Sequence, residues 1–133
     1  MLDTNVCVYL LRGTRQSGTR WLERHDLEEV YISSITLAEL LYGVWKSADP
    51  ARNQAAVVDF CSALEVVPFN DRAAATYGPI RAQLEQSGKP IGPLDMLIAA
   101  HALSIDATLV TNNDREFRRV ANLRVETWRP PTR

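Results

Sequence analysis

Short apolar runs rich in β-branched residues alternate with longer helical stretches along this chain, and that alternation constrains the fold most. The predicted strands are Met1–Asp3, Val30–Ser33, Glu65–Phe69, Thr108–Thr111 and Leu123–Trp128. The predicted helices are Asn5–Leu11, Thr19–His25, Ile35–Lys46, Pro50–Leu64, a helix capped by Asp71 that runs to Ser87, and Pro93–Ser104. Strands separated by helices favour parallel pairing, because the chain must cross over before each new strand. The sequence therefore predicts an α/β fold with a mostly parallel sheet covered by helices on both faces.

Length and charge narrow the class of protein. The 133 residues, 46% of them hydrophobic, fit a single domain that we expect to span residues 1–133. A formal net charge of −1 excludes a protein that binds nucleic acid through bulk positive charge alone. No apolar run approaches the ~18 residues that cross a bilayer, and the first residues lack the basic start of a signal peptide. Cys7 and Cys61 match no metal motif and indicate core residues of a cytoplasmic protein.

Three acidic residues stand out against their surroundings. Asp3 directly follows the first strand, at the sheet edge where sites form in α/β folds, although an N-cap role is equally compatible. Glu39 lies in an apolar helix and shares one face with Thr36 and Gly43, which suits a cleft as well as it suits solvent. Asp95 lies in the first turn of a helix that is apolar nearly all round. A buried helix start favours a functional carboxylate there over a surface acid that only complements the helix dipole.

A fourth polar group follows the predicted strand that ends at Thr111. Asn113, Asp114 and Glu116 all lie within the next few residues, at the same edge of the predicted sheet. A turn and a surface salt bridge are the structural alternatives for this stretch. Spacing alone leaves open which of the three side chains points inward.

A doubly wound fold would bring these four groups to one pocket. Two carboxylates ~4 Å apart repel each other by about 4 kcal/mol at an effective dielectric of 20, so the cluster needs protons or a cation. Ligands that are all oxygen favour Mg²⁺ or Mn²⁺ over zinc. Such ions can activate water and stabilise a leaving oxygen in phosphodiester cleavage. The chain contains no glycine-rich phosphate loop, GxSxG elbow or HExxH motif, so the acids carry the catalytic hypothesis.

Arginine outnumbers lysine thirteen to two in this chain. Coding bias explains this ratio, and phosphate recognition by guanidinium groups is the functional alternative. The candidate phosphate-binding residues are Arg12, Arg15, Arg115 and Arg118.

Six stretches of the chain form a recognisable set: LDTN at 2–5, ISSITLAELLYG at 32–43, IGPLDMLIAAHA at 91–102, LVTNN at 109–113, REF at 115–117 and LRVETW at 123–128. With these stretches the chain resembles the PIN-domain family and, within it, the VapC-type toxins of bacterial toxin–antitoxin pairs. Each motif is weak by itself, but all six in this order are specific. The resemblance spans nearly the whole chain.

The resemblance implies a three-layer α/β/α fold and a Mg²⁺-dependent endoribonuclease. Asp3, Glu39 and Asp95 would be the metal ligands, and Glu116 would be the fourth catalytic acid, with Asp114 or Asn113 as alternatives. The resemblance also implies that four polar side chains orient the carboxylates: Asn5, Thr36, Thr111 and Asn113. The implied partners are an RNA substrate such as a tRNA, a small cognate antitoxin and a second copy of the chain. The protein is expected to act in the cytoplasm and not to bind a membrane.

Two other function classes compete with a ribonuclease. A catalytically silent PIN-like module would bind RNA or protein without turnover, but it has no need for a cluster of acids. A phosphoacceptor signalling domain would place a lysine after a late strand, and this chain has only Lys46 and Lys89. One feature departs from the family: only two residues precede Asp3, so we expect either a native start upstream or a shortened first strand.

Overall fold

The computed structural model describes residues 1–12 and 22–129. Its helices are α1 (Thr4–Arg12), α2 (Ser34–Lys46), α3 (Pro50–Ser62), α4 (Asp71–Gln86), α5 (Pro93–Ser104) and α6 (Asp114–Phe117), with a 3₁₀ turn at Leu27–Glu29. Its strands are β1 (Tyr31–Ser33), β2 (Glu65–Val67), β3 (Leu109–Thr111) and β4 (Val125–Thr127). The predicted helix Thr19–His25 lies partly outside the described residues.

Parallel pairing, predicted from the alternation of strands and helices, is confirmed in both ladders. β1 pairs in parallel with β2, and β3 pairs in parallel with β4. The segment Met1–Asp3 lies between the two ladders and hydrogen-bonds to both. The Leu2 amide donates to the Tyr31 carbonyl at 2.8 Å, and Leu2 forms a parallel bridge with Val110. The residues that follow these strands therefore meet at one edge of the sheet.

The start of α4 differs from the prediction. Asn70, not Asp71, is the N-cap, and its side-chain oxygen accepts a hydrogen bond from the Ala73 amide at 3.1 Å. Asn70 has the extended backbone that a capping residue needs, which leaves Asp71 in the first turn, where the helix dipole favours its charge. Gly88 follows the helix with φ of +68°, a conformation that glycine adopts without strain and that ends the helix as predicted.

The core consists of two clusters of buried side chains, as a sheet with helices on both faces requires. One cluster surrounds α5, whose residues Ile98, Ala99, Ala100 and Ala102 are completely buried. The start of this helix is more open than predicted, since Pro93 and Leu94 are exposed and Asp95 is only partly buried. No helix among the described residues combines the length and the apolar character that crossing a bilayer requires.

Candidate active site

Asp3 is a buried carboxylate at the carboxyl edge of the sheet, with 1% of its surface exposed. Its Oδ1 accepts a hydrogen bond from the Thr4 amide at 2.7 Å, and its Oδ2 accepts one from the Thr111 hydroxyl at 2.8 Å. Burial raises the pKa of Asp3, the two hydrogen bonds oppose that rise, and the charge of Glu39 adds to it. Asp3 therefore bonds the first amide of α1. Its carboxylate has no cationic partner among the described residues.

Glu39 is held by a chain of hydroxyl groups. The Thr4 hydroxyl donates to Glu39 Oε1 at 2.8 Å and lies 3.2 Å from the Thr36 hydroxyl. Because a threonine hydroxyl carries one proton, the consistent arrangement has Thr36 donating to Thr4 and Thr4 donating to Glu39. Thr36 is completely buried, which favours the cleft over the solvated face that its spacing with Glu39 had left open.

Thr4 is the site residue that sequence reasoning missed. Its amide bonds Asp3 and its hydroxyl bonds Glu39, so it connects two acids that lie 36 positions apart in the chain. A small hydroxyl residue directly after an acid at a strand end was the available signal. That signal was weak, because the same pair is common at helix starts.

Asp95 lies in the first turn of α5 and is partly buried. Burial, followed by the charges of Asp3, Glu39 and Glu116, raises its pKa from 3.8 to about 6. Four acids from four separate segments therefore share one region of electrostatic potential. Gly92 leaves room for the Asp95 carboxylate, since a Cβ at position 92 would lie 3.2 Å from Asp95 Oδ2.

Glu116, rather than Asp114, faces the other acids. Asn113 donates its amide hydrogen to Glu116 Oε2 at 3.0 Å, and its backbone amide donates to the Thr111 hydroxyl at 2.9 Å. Asp114 is drawn away from the cluster: a hydrogen bond with Thr127 lowers its pKa, and Arg118 lies 3.6 Å from its carboxylate. Asp114 is also absent among the charges that raise the pKa of Asp95.

The donor set of this site fits a divalent metal ion by its chemistry. Its charged groups are carboxylates, supported by hydroxyl and amide groups, and hard cations such as Mg²⁺ and Mn²⁺ prefer oxygen ligands. As the side chains stand, no three acids, histidines or cysteines of the described residues lie close enough to hold one ion together. Like charges favour such an open arrangement. Burial contributes most to the raised pKa of Asp95, and the charges of Asp3, Glu39 and Glu116 add a repulsion that a cation would relieve.

The remaining predicted site residues take varied positions. Asn5 is exposed, and its side chain makes no hydrogen bond to any described residue, so its predicted orienting role has no support from contacts. Arg12 lies at the end of α1 and lines, together with Glu39, a cavity of about 190 Å³ between α1, α2 and α3. Arg115 is exposed, Arg118 pairs with Asp114, and Arg15 lies outside the described residues.

Comparison with known proteins gives consistent matches over the chain. The family model of the PIN domain matches residues 1–123. The tRNA(fMet)-specific endonuclease VapC of Shigella flexneri is 45% identical over 130 residues, which make up 96% of each chain. The DNA-bound VapBC structure from Salmonella typhimurium matches with a TM-score of 0.91 and 44% identity over 97% of each chain. VapBC2 from Rickettsia felis, solved with a fragment of promoter DNA, gives a TM-score of 0.90 and 45% identity over 97% of this chain and 98% of that one.

Proposed function

The chain belongs to the PIN-domain family, and from this premise we propose that it is a VapC-type endoribonuclease, the toxin of a toxin–antitoxin pair. The observation that supports this proposal most is the meeting of four acids at one sheet edge, where the charges of Asp3, Glu39 and Glu116 add to burial in raising the pKa of Asp95. A group of carboxylates is costly to hold together unless it serves a cation. In a nuclease that cost is offset when metal and RNA bind.

We assign Asp3, Glu39 and Asp95 as the metal ligands and Glu116 as the fourth catalytic acid. Thr111 holds the Asp3 carboxylate and Thr4 holds the Glu39 carboxylate. Thr36 bonds the Thr4 hydroxyl, and Asn113 donates to Glu116. A divalent ion, Mg²⁺ or Mn²⁺, would supply water activation and charge neutralisation at this site. The chain itself supplies orientation, because its hydroxyl and amide groups hold the carboxylates of Asp3, Glu39 and Glu116.

The proposed substrate is RNA, and a tRNA is the first candidate. This follows the Shigella flexneri relative, which is a tRNA(fMet)-specific endonuclease. We also propose a small antitoxin partner, in keeping with the VapBC structures. We further propose that the chain forms a homodimer and acts in the cytoplasm. Arg12 and Arg115 are the described arginines that we propose to contact RNA phosphates, since Arg118 is engaged by Asp114.

The test is cleavage of total bacterial RNA by purified, antitoxin-free protein with Mg²⁺, with Mn²⁺ and with chelator. Asp95→Asn removes one proposed ligand, and Asp106→Asn makes the same chemical change at an exposed acid of the loop between α5 and β3. Asparagine tolerates the positive φ of 54° at position 106, so this control is expected to fold normally. We expect discrete, metal-dependent products from wild type and from Asp106→Asn, and none from Asp95→Asn.

Two results would contradict the proposal. Cleavage by Asp95→Asn at the wild-type rate would remove the acids from the mechanism. RNA binding without products, unaffected by Mg²⁺, would instead support the catalytically silent binding module.

A second comparison tests which acid completes the site. Glu116→Gln keeps the size of the side chain and removes its charge, and Asp114→Asn does the same two residues earlier. We expect Glu116→Gln to reduce cleavage strongly, since its charge is felt at Asp95, and Asp114→Asn to change it little. The opposite order would assign the fourth acid to Asp114.

A further inference from the structure

A buried polar contact connects the two helices that carry Glu39 and Asp95. His101 of α5 is 1% exposed, Ser33 before α2 is completely buried, and the His101 Nδ1 lies 2.7 Å from the Ser33 Oγ. Among the described residues, the His101–Ser33 contact is the side-chain hydrogen bond that joins α5 to another element. The Ser104 hydroxyl, by contrast, bonds a carbonyl of α5 itself. The contact therefore fixes α5 against the start of α2.

The hydrogen-bond pattern identifies the proton on the imidazole ring. Ser33 is the N-cap of α2, and its hydroxyl oxygen accepts from the Ile35 amide at 3.0 Å. If the Ser33 hydroxyl donates its single proton to His101 Nδ1, only the Nε2–H group lacks a partner. If Nδ1 carries the proton and donates instead, both the Ser33 hydroxyl proton and Nε2 lack a partner. The favoured state has Ser33 donating to Nδ1 and the ring proton on Nε2.

His101 Nε2 has no hydrogen-bond partner among the described residues. An unsatisfied buried N–H group costs free energy, and a leucine would fill a similar space without that cost. Packing alone therefore explains this histidine poorly. The contact made by Nδ1 explains it better.

The contact lies at the same distance along the chain from each of the two acids. Ser33 lies six residues before Glu39, and His101 lies six residues after Asp95. At 1.5 Å of rise per residue, each acid lies about 9 Å along its helix from the contact. Phe69 completes this junction, since its amide donates to the Ser34 hydroxyl at 3.0 Å and its ring meets the imidazole edge to face at 5.5 Å.

We propose that His101 is a positioning residue, whose bond to Ser33 sets the gap between Asp95 and Glu39 and so tunes the affinity of the acid cluster for a divalent cation. This inference rests on the proposed function, because it takes the acids to be metal ligands. It assigns no proton transfer to the imidazole, which lies six residues along α5 from the Asp95 carboxylate.

The test is a Mn²⁺ titration of the full chain, followed by electron paramagnetic resonance, with RNA cleavage as a second readout. His101→Leu removes the hydrogen bond and keeps an apolar side chain, whereas His101→Asn keeps a polar atom at the Nδ1 position. We expect His101→Leu to weaken Mn²⁺ binding about tenfold and to lower kcat in parallel, as losses behind metal ligands do. His101→Asn is expected to restore both.

A control separates positioning from stability. Leu84→Ala removes a buried side chain of α4 that packs in the same cluster as α5 but makes no hydrogen bond to the site. It is expected to lower Tm at least as much as His101→Leu does and to leave Mn²⁺ affinity unchanged. Ser33→Ala removes the same bond from the other side, so adding it to His101→Leu should cost less than the two single effects combined.

Each outcome bears on the proposal. Wild-type Mn²⁺ affinity in His101→Leu, with only Tm reduced, would make the histidine purely structural and leave the proposed nuclease intact. Loss of affinity in Leu84→Ala would show that any weakening of the core suffices, which also overturns the proposal. If His101→Leu does not fold, the other two variants provide the test. Wild-type Mn²⁺ affinity in His101→Asn, together with reduced Mn²⁺ affinity in Ser33→Ala, would support the positioning role. Failure of wild type itself to bind Mn²⁺ or cleave RNA would overturn the proposed function together with this inference.

Discussion

Asp3 and Thr111 are 108 positions apart in the chain, yet the Thr111 hydroxyl donates a hydrogen bond to Asp3 Oδ2 at 2.8 Å. The same hydroxyl oxygen accepts from the Asn113 amide at 2.9 Å, and Asn113 in turn holds Glu116. One buried hydroxyl therefore connects the acid at the start of the chain to the acid near its end. The site is built on backbone that the sheet holds rigid, because both residues directly follow or end paired strand segments.

We predict that Thr111→Val lowers cleavage and divalent-metal affinity by about 10–100-fold, the range for groups that support metal ligands. Valine keeps the shape of threonine, but Asp3 loses one of its two hydrogen bonds and its raised pKa rises further. Thr111→Ser should restore most of the loss because it returns the hydroxyl. Mn²⁺ titration of both variants provides the check, and equal binding by Thr111→Val and wild type would contradict this account of Asp3.

The pKa of Asp95 predicts how the metal-free protein responds to pH. In the unfolded chain this carboxyl ionises near its ordinary value of 3.8, but in the folded protein it ionises only near 6. Between about pH 4 and about pH 6 the unfolded state loses its proton first, so stability falls as the pH rises through that window. Above it both states are ionised and the penalty is constant.

Asp95→Asn should therefore stabilise the metal-free protein at neutral pH while it abolishes cleavage. The expected gain is on the order of 1–2 kcal/mol once partial solvent screening is allowed for. The measurement is thermal unfolding of both proteins in chelator across this pH range. The difference in stability between wild type and variant isolates the contribution of Asp95 from that of the other acids. Added Mg²⁺ should stabilise wild type most above pH 6 and the variant less; a variant that is less stable than wild type at every pH would contradict the prediction.

Thr4 provides a further prediction, because it joins Asp3 to Glu39. Thr4→Val removes the hydroxyl that holds Glu39 Oε1 and keeps the side-chain volume, whereas Thr4→Ser keeps the hydroxyl. We expect Thr4→Val to reduce kcat by about tenfold or more, with Thr4→Ser close to wild type. The Thr4 amide still bonds Asp3 in both variants, so the comparison isolates Glu39. Equal activity of the two variants would show that Glu39 needs no fixed orientation.

The sequence predicted the architecture well because alternation and burial are local patterns. The parallel ladders, the buried middle of α5 and the acid in its first turn were all readable from apolar spacing. The start of α5 was expected to be buried as well, but residues 92–94 are exposed. The choice among Asn113, Asp114 and Glu116 was not, because it depends on tertiary partners: Asn113 supports Glu116, and Thr127 and Arg118 draw Asp114 away. The N-cap of α4 was misplaced by one residue for a related reason, since Asn70 and Asp71 both cap well and backbone geometry decides between them.

The arginines after β3 divide into engaged and free side chains. Arg118 pairs with Asp114, Arg119 donates to the Pro90 carbonyl at 3.1 Å, and Arg124 lies 3.3 Å from Asp106. Arg115 is exposed and has no hydrogen bond or ion pair within the part of the chain that the structure describes. It is also the direct neighbour of Glu116. Its guanidinium group is therefore available for an RNA phosphate.

We expect Arg115→Ala to raise KM for RNA about five- to tenfold with kcat nearly unchanged, as the loss of one phosphate contact does. Arg119→Ala removes the same charge four residues further along the chain and serves as the matched control, because that side chain is already bound to Pro90. The dependence of log KM on log salt concentration should fall by about 0.7 for Arg115→Ala, the value for one contact on a single strand, and little for Arg119→Ala. If both variants raise KM and lower the salt slope equally, the RNA responds to overall charge and Arg115 makes no specific contact.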